Sequence, residues 1–251
     1  MTLDFLDLAL LALAGFAAGW INVLAGGGSM FNVAALVFLG LPGPVANGAN
    51  RVAILAQSLA AVAEFRRKGF SDFKLSASLA ATASIGAYFG AKIGVRLDGE
   101  WFERTVALAM VAVALSMALD RGAADDAARK SAPARNLALG HALMVGAGFW
   151  GGFIQIGVGF LLMPILYRVM GLDLVRVNMH KVFVTLVFTV VALAVFAAET
   201  PIAWQAGIAL ALANAVGGWA GARATMLKGA AFIKGAMYAA IAALAVKLLF
   251  F

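Results

Sequence analysis

Gly26-Gly27-Gly28-Ser29 breaks one long apolar stretch, and Gly157-Val158-Gly159 breaks another 131 residues further on. The same spacing pairs Gly15 with Gly146, Gly40-Leu41 with Gly171-Leu172, Asn47 with Asn178 and Phe65 with Phe196. It also pairs the run from Gly86 to Lys92 with the run from Gly217 to Arg223. A register kept over so much of the chain marks an internal duplication, with a first repeat at 1–119 and a second at 136–251.

The composition decides the solvent. A chain of 251 residues that is 64% hydrophobic and only 12% charged has too little polar surface to clothe a water-soluble globule. In lipid the backbone must satisfy its own hydrogen bonds, and apolar runs this long and non-alternating are helices rather than barrel strands. The expected fold is therefore all-α, a polytopic transmembrane bundle. The formal charge of +7 sits mostly in short loops between apolar runs, where it signals topology and not a nucleic-acid partner. There is no cysteine, hence no disulfide framework and no thiolate metal site. Neither a metal nor any other cofactor is expected. Met1 to Leu24 opens with Asp4 and Asp7 and runs into a glycine break, which reads as a retained first segment rather than a removable signal.

Apolar segments fall at about 5–25, 29–41, 44–65, 72–96 and 101–119, and again at about 137–156, 160–171, 174–197, 201–223 and 231–250. The second of each half has only about 12 residues, well short of the roughly 20 that cross hydrocarbon. If these short segments cross, there are ten spans; if they re-enter, about eight. Asp120 to Arg135 is the polar linker between the halves. Arg66, Arg67, Lys68 and Lys74 mark one basic loop and Arg121, Arg129, Lys130 and Arg135 the next, so both belong on the cytoplasmic side of the bacterial inner membrane. Ten crossings also bring Arg168, Arg176, Lys228 and Lys234 to that side, whereas Arg96 and Arg104 fall opposite. An odd number of crossings per half makes the two repeats inverted.

Helices interrupted at corresponding places in two halves point to a transport site. Contiguous glycines cost a helix roughly 1 kcal/mol each relative to alanine, and irregular backbone at membrane depth survives only against protein or a water-filled cavity. The helix resuming at Ser29, and its counterpart near Phe160, would each offer N–H groups and a positive dipole end to an anion. The bland alternative is that the glycines only permit close packing, as the spaced Gly86, Gly90 and Gly94 and Gly217 and Gly221 do. A nucleotide loop is excluded by the missing Gly-Lys-Ser/Thr ending.

The third segments carry the charges. Asn47, Asn50, Arg51, Ile54 and Ser58 share one helical face, and Asn178, Lys181, Thr185 and Thr189 repeat it. Intramembrane cations mark function unless they lie near enough to a helix end to snorkel toward headgroups. Asn22, Ser29, Asn32 and Gln155 stand near the breaks and can hydrogen-bond either a substrate or a neighbouring helix. His180 and Glu64 are candidates for proton coupling, set against an interface histidine and a boundary ion pair.

The stretches Gly19 to Gly28, Ser29 to Pro42, Ala46-Asn47-Gly48-Ala49-Asn50, Gly148 to Gly159, Met163-Pro164, Gly171-Leu172 and Val177-Asn178 resemble the sulfite exporter TauE/SafE family. The resemblance spans nearly the whole chain as two copies. It departs from symmetry where Pro164 faces Val33, and where Pro42 and Pro44 face Asp173 and Val175. It implies export or import of small sulfur-containing anions such as sulfite, sulfoacetate or another organosulfonate. With no nucleotide-binding segment in the sequence, the expected mechanism is a secondary transporter, taken as an exporter, working by alternating access and driven by a proton or sodium gradient or by the substrate's own gradient. The expected substrate-binding set is Asn22, Gly26, Gly27, Gly28, Ser29, Asn47, Asn50, Arg51, Gln155, Gly157, Gly159, Asn178 and Lys181. On this reading Arg51→Ala removes flux without unfolding the protein. The alternatives are a passive anion channel lined by the same polar stripes and an intramembrane hydrolase pairing Ser29 with His141 or His180. The partners are a small organic or inorganic anion and the lipid bilayer. No dimerisation surface separates from the internal packing stripes.

Overall fold

The computed structural model describes residues 4–97, 101, 104, 129, 130 and 132–250, and most of the expected segment at 101–119 and of the linker lies outside them. Among the described residues there are α-helices and no strands: α1 Phe5–Leu24, α2 Ser29–Phe38, α3 Gly43–Arg67, α4 Phe73–Gly94, α5 Leu137–Phe153, α6 Val158–Pro164, α7 Leu174–Glu199 and α8 Trp204–Phe250. The all-α expectation therefore holds. Two boundaries differ from the sequence reading. The helix after the second break starts at Val158, not near Phe160, and passes into a π-helical turn, Ile165–Val169, just after Pro164. Proline lacks an N–H and its ring crowds the carbonyl four residues back, so the regular ladder cannot run through it. The segments expected at 201–223 and 231–250 are the two arms of α8, separated by Gly229 with φ 66° and ψ −161°.

Acidic caps set several starts. Asp4 and Asp7 form a capping box on α1, Asp72 accepts from Leu75 N–H on α4, and Asp173 accepts from Val175 and Arg176 N–H on α7. Asp173 also holds the Arg176 guanidinium at 2.5 Å. Replacing Asp173 with alanine should cost about 1 kcal/mol of stability, seen as a lower unfolding midpoint in detergent; an unchanged midpoint would show the cap to be redundant.

The molecule is polar within and apolar without. Asn32, Asn50, Arg51, Asn178, His180 and Asn214 are fully buried, while Phe5, Leu13, Phe38, Leu59 and Leu212 point outward. Large exposed apolar area of this kind is stable only in lipid. Helices α1 and α7 are each long and apolar enough to cross it unaided, with mean hydropathies of 1.7 and 2.4. Helices α3 and α4 are as long, but they hide their polar residues against neighbours.

The two halves interlock by exchanging partners. Gly86, Gly90 and Gly94 of α4 lie against Val145, Phe149 and Phe153 of α5, so near that an added Cβ would stand 1.9 to 2.3 Å from their carbonyl oxygens. The corresponding pair is α8 on α1, where Gly217 and Gly221 lie against Phe16 and Trp20. In both pairs the contacts advance together, so the partners run in the same direction. Helix α3 runs alongside the first arm of α8 in the same sense, with Ala49 at Gly207 and Gln57 at Gly218. Helix α4 runs with α7, from Ser76 at His180 to Lys92 at Glu199. Helix α7 turns back into α8 through 200–203, and its Asn178 meets Thr225. Thus α1, α3 and the first arm of α8 point one way and α4, α5 and α7 the other.

This settles what the short segments do. Since α1 and α3 run the same way, α2 between them must carry the chain back, and α6 with its π turn does so between α5 and α7. Ten residues of α2 rise only about 15 Å, so the helix itself covers half of a hydrocarbon core. The lysine- and arginine-bearing loops gather at one end. There 69–72, Lys130, Asp173, Arg176 and Gly229 line a cavity of about 630 Å³.

Candidate functional site

The two glycine breaks touch. Gly26 has φ 97°, and a Cβ on it would lie 2.5 Å from the Cα of Gly159; one on Gly159 would lie 2.2 Å from the Cα of Gly26. Gly27 lies under the Phe160 ring, and Gly28 stands against the Ala18 carbonyl. Packing alone would be served by spaced glycines, as in α4. Here a contiguous run lets two irregular chain segments meet backbone to backbone, where no side chain fits. Gly157, at φ 71°, and Gln155, at φ 65°, give the second break its bend.

Each break ends one helix and starts another, and the ended helix leaves carbonyl groups without intrahelical partners. Cations from the opposite half occupy those positions. Arg51 on α3 donates to Gly151 O at 3.0 Å and to Gly152 O at 2.5 Å at the C-terminus of α5, and to Gln155 Oε1 at 2.7 Å. Longer contacts reach Asn47 Oδ1 and Phe153 O, and the guanidinium stacks on Phe196, 4.2 Å from the ring centre. Lys181 on α7 donates to Val23 O at 2.7 Å, in the last turn of α1. A cation at a helix C-terminus is also favoured by the helix dipole. Neither side chain snorkels, since Arg51 is 0% exposed and Lys181 2%. The sequence placed them close to helix ends, but those ends are covered by the other half.

Around this junction the polar residues pair. Asn32 donates to Asn50 Oδ1 at 2.9 Å and exchanges hydrogen bonds with Asn214. Gln155 donates to Thr189, Asn22 donates to Gln57, and Ser29 reaches Gln155 O at 3.5 Å. Asn47 donates to Phe153 O, and Asn178 to Leu24 O and Thr225. All thirteen expected substrate residues thus lie in or beside the two breaks. Gln57, Asn214 and Thr225 were not singled out from the sequence. A solitary polar residue inside an apolar run was the available signal for Gln57 and Asn214.

His180 and Glu64 lie apart from the breaks. His180 is fully buried, and its Nδ1 pairs with Ser76 Oγ at 2.8 Å, while Nε2 has no hydrogen-bond partner. Glu64 is held by both arms of Arg67 at 2.8 Å and by Trp219 Nε1 at 3.2 Å, so its oxygens are engaged near the basic end. The ion pair is with Arg67, one turn on. The hydrolase arrangement does not form: His180 faces Ser76, His141 faces Ser78, and Ser29 meets neither.

The comparisons agree with this architecture. The chain is 28% identical over 249 residues to the "Probable membrane transporter protein ORF9" of Sinorhizobium sp, covering 98% of this chain and 94% of that one. It is 23% identical over 227 residues to a "Probable membrane transporter protein" of Haemophilus influenzae, with 90% and 88% covered. It is also 23% identical over 238 residues to YfcA of Escherichia coli, which carries the same description, with 93% and 86% covered. No solved structure matches. The family described as "Sulfite exporter TauE/SafE" matches residues 11–248. A membrane-transporter family of bacterial relatives and an all-helical bundle with an apolar exterior make this an integral inner-membrane protein and a transporter rather than an enzyme. The chain belongs to the sulfite exporter TauE/SafE family.

Proposed function

We propose that this protein is a secondary transporter that exports small sulfur-containing anions, such as sulfite, sulfoacetate or another organosulfonate, by alternating access around the junction of the two glycine breaks. The observation that carries the reading is reciprocal: the third helix of each half sends a cation into the broken end of the other half's first helix. Such a junction ties the halves together through a few hydrogen bonds from two buried cations, which movement of one half against the other would rearrange. The substrate class follows from the family's description.

The helix directions support inverted repeats. Helices α1, α3 and α4 of the first half point opposite to their counterparts α5, α7 and the first arm of α8, and the two short helices return in opposite senses. Two halves so related can rock against each other to open the junction to either side. The basic end, by its excess of lysine and arginine, faces the cytoplasm, and its cavity is the vestibule on that side. Asn22, Asn47, Asn50, Asn178 and Gln155 orient the anion. The backbone of Gly27, Gly28 and Ser29, at the start of α2, adds N–H donors, while the Gly26 N–H already donates to Ile21 O and Gly26 supplies the bend. Helix α6 has only seven residues, so Gly157 and Gly159 contribute a close approach more than a dipole. A proton or sodium gradient drives the cycle.

Proteoliposomes loaded with labelled sulfite or sulfoacetate should show efflux that saturates with concentration and exchanges with unlabelled anion outside. Non-saturating flux with single-channel currents would instead make the protein a pore, and flux of neither anion would remove the substrate class.

A further inference from the structure

Arg51 and Lys181 are not equivalent. The two Arg51 amino groups are committed: Nη1 and Nη2 serve carbonyls of Gly151, Gly152 and Phe153 and the side-chain oxygens of Asn47 and Gln155, one face is covered by Phe196, and only Nε is without a partner. Turning the guanidinium toward an anion would strip the end of α5 of its donors. Lys181 has three N–H donors and uses them on a single carbonyl, with the Met163 thioether sulfur at 3.8 Å as its other contact. No carboxylate lies within ion-pair distance of it among the described residues. It is a buried amine with spare donors.

Lys181 lines a cavity. Asn22 at the end of α1, Gln57 and Ser58 of α3, Gly159 of the second break, and Lys181 and Thr185 of α7 line one small space. Ser58 is fully buried, and its hydroxyl has no hydrogen-bond partner. A buried hydroxyl left unmatched is costly, and a bound oxyanion would relieve it. The cavity measures about 10 Å³, roughly the room one water needs. In this conformation it is collapsed. Its walls come from both halves, so movement of one half against the other changes its size.

We propose that this space is the closed binding site for a singly charged oxyanion, with Lys181 as its one cation and the Ser58 hydroxyl, the Gln57 amide and the Thr185 hydroxyl as neutral partners. The inference rests on the transporter reading and names its charge selectivity. One lysine and neutral donors balance a sulfonate or hydrogensulfite. A dianion would leave a net negative charge buried in a low-dielectric interior, which is unfavourable. Arg51 is then a positioning residue that holds the end of α5.

Proteoliposomes test this with labelled sulfite and two competitors at pH 7, methanesulfonate as a monoanion and sulfate as a dianion. Methanesulfonate should compete at least tenfold better than sulfate. Ser58→Ala should raise the KM for sulfite about tenfold, the loss of one hydrogen bond to a charged group, and leave the unfolding midpoint without anion unchanged. Lys181→Gln should abolish uptake. Normal wild-type uptake with an unchanged KM in Ser58→Ala, or equal competition by sulfate, overturns the site. Thermal stabilisation of the detergent-purified protein by methanesulfonate separates this from the function. Stabilisation that needs Ser58, without any uptake by the wild type, keeps the site and overturns the transporter reading; neither stabilisation nor uptake overturns both.

Discussion

Replacing Gly26 with alanine is expected to abolish anion flux and to lower stability by about 2 to 6 kcal/mol. Two costs combine. At φ 97° a side chain strains the backbone by about 1 to 3 kcal/mol, and the new methyl would stand 2.5 Å from the Gly159 Cα. Backbone cannot rotate away as a side chain can, so the two breaks must separate by about 1 Å, with an overpacking cost of about 1 to 3 kcal/mol. Gly159→Ala meets the same wall from the other side, at 2.2 Å, without a positive φ, and should lose flux with a smaller loss of stability. Gly146 gives the control, since nothing lies within 4 Å of a Cβ placed there. Gly146→Ala should be neutral or more stable by up to about 1 kcal/mol. Flux assays in proteoliposomes and thermal unfolding in detergent read both effects; wild-type flux in Gly26→Ala would show that the breaks need not touch during transport.

Arg51→Met is expected to destabilise the protein by about 3 kcal/mol or more. The substitution leaves the Gly151 and Gly152 carbonyls and the Gln155 side chain without their buried donor, and orphaned acceptors cost about 1 to 3 kcal/mol each. It also removes the stacking on Phe196. From sequence alone, Arg51→Ala would have silenced transport in a folded protein; the geometry makes the same residue a staple between α3 and α5. Arg51→Lys keeps the charge but lacks the planar fork, so it should restore only part of the stability. An unfolding midpoint for Arg51→Met equal to wild type would show that water or backbone movement satisfies those carbonyls.

Several features were legible because they depend on neighbours along the chain. The glycine breaks and the faces at Asn47 to Ser58 and at Asn178 to Thr189 follow from spacing, and the structure places each where spacing puts it. The Pro164 break in helical regularity was visible as a proline, but its π turn was not. Gly229 sat between two apolar segments and reads equally well as a loop or as a kink within one helix. Asn214 and Gln57 gave only the signal of lone polar residues, and their partners, Asn32 and Asn22, lie 182 and 35 residues away.

The sequence by itself determined a duplicated helical membrane protein and the polar residues that its interior would have to accommodate, since composition fixes the solvent and periodicity fixes the faces. Which cation is spent on structure and which is left with free donors was decided by tertiary contacts alone. Arg51 and Lys181 stand on matching faces one register position apart, and each reaches across to the other half. Five acceptors converge on one and a single carbonyl on the other. That difference arises where the end of α5 bends back past Gly151 and Gly152, about a hundred residues from the arginine that caps it.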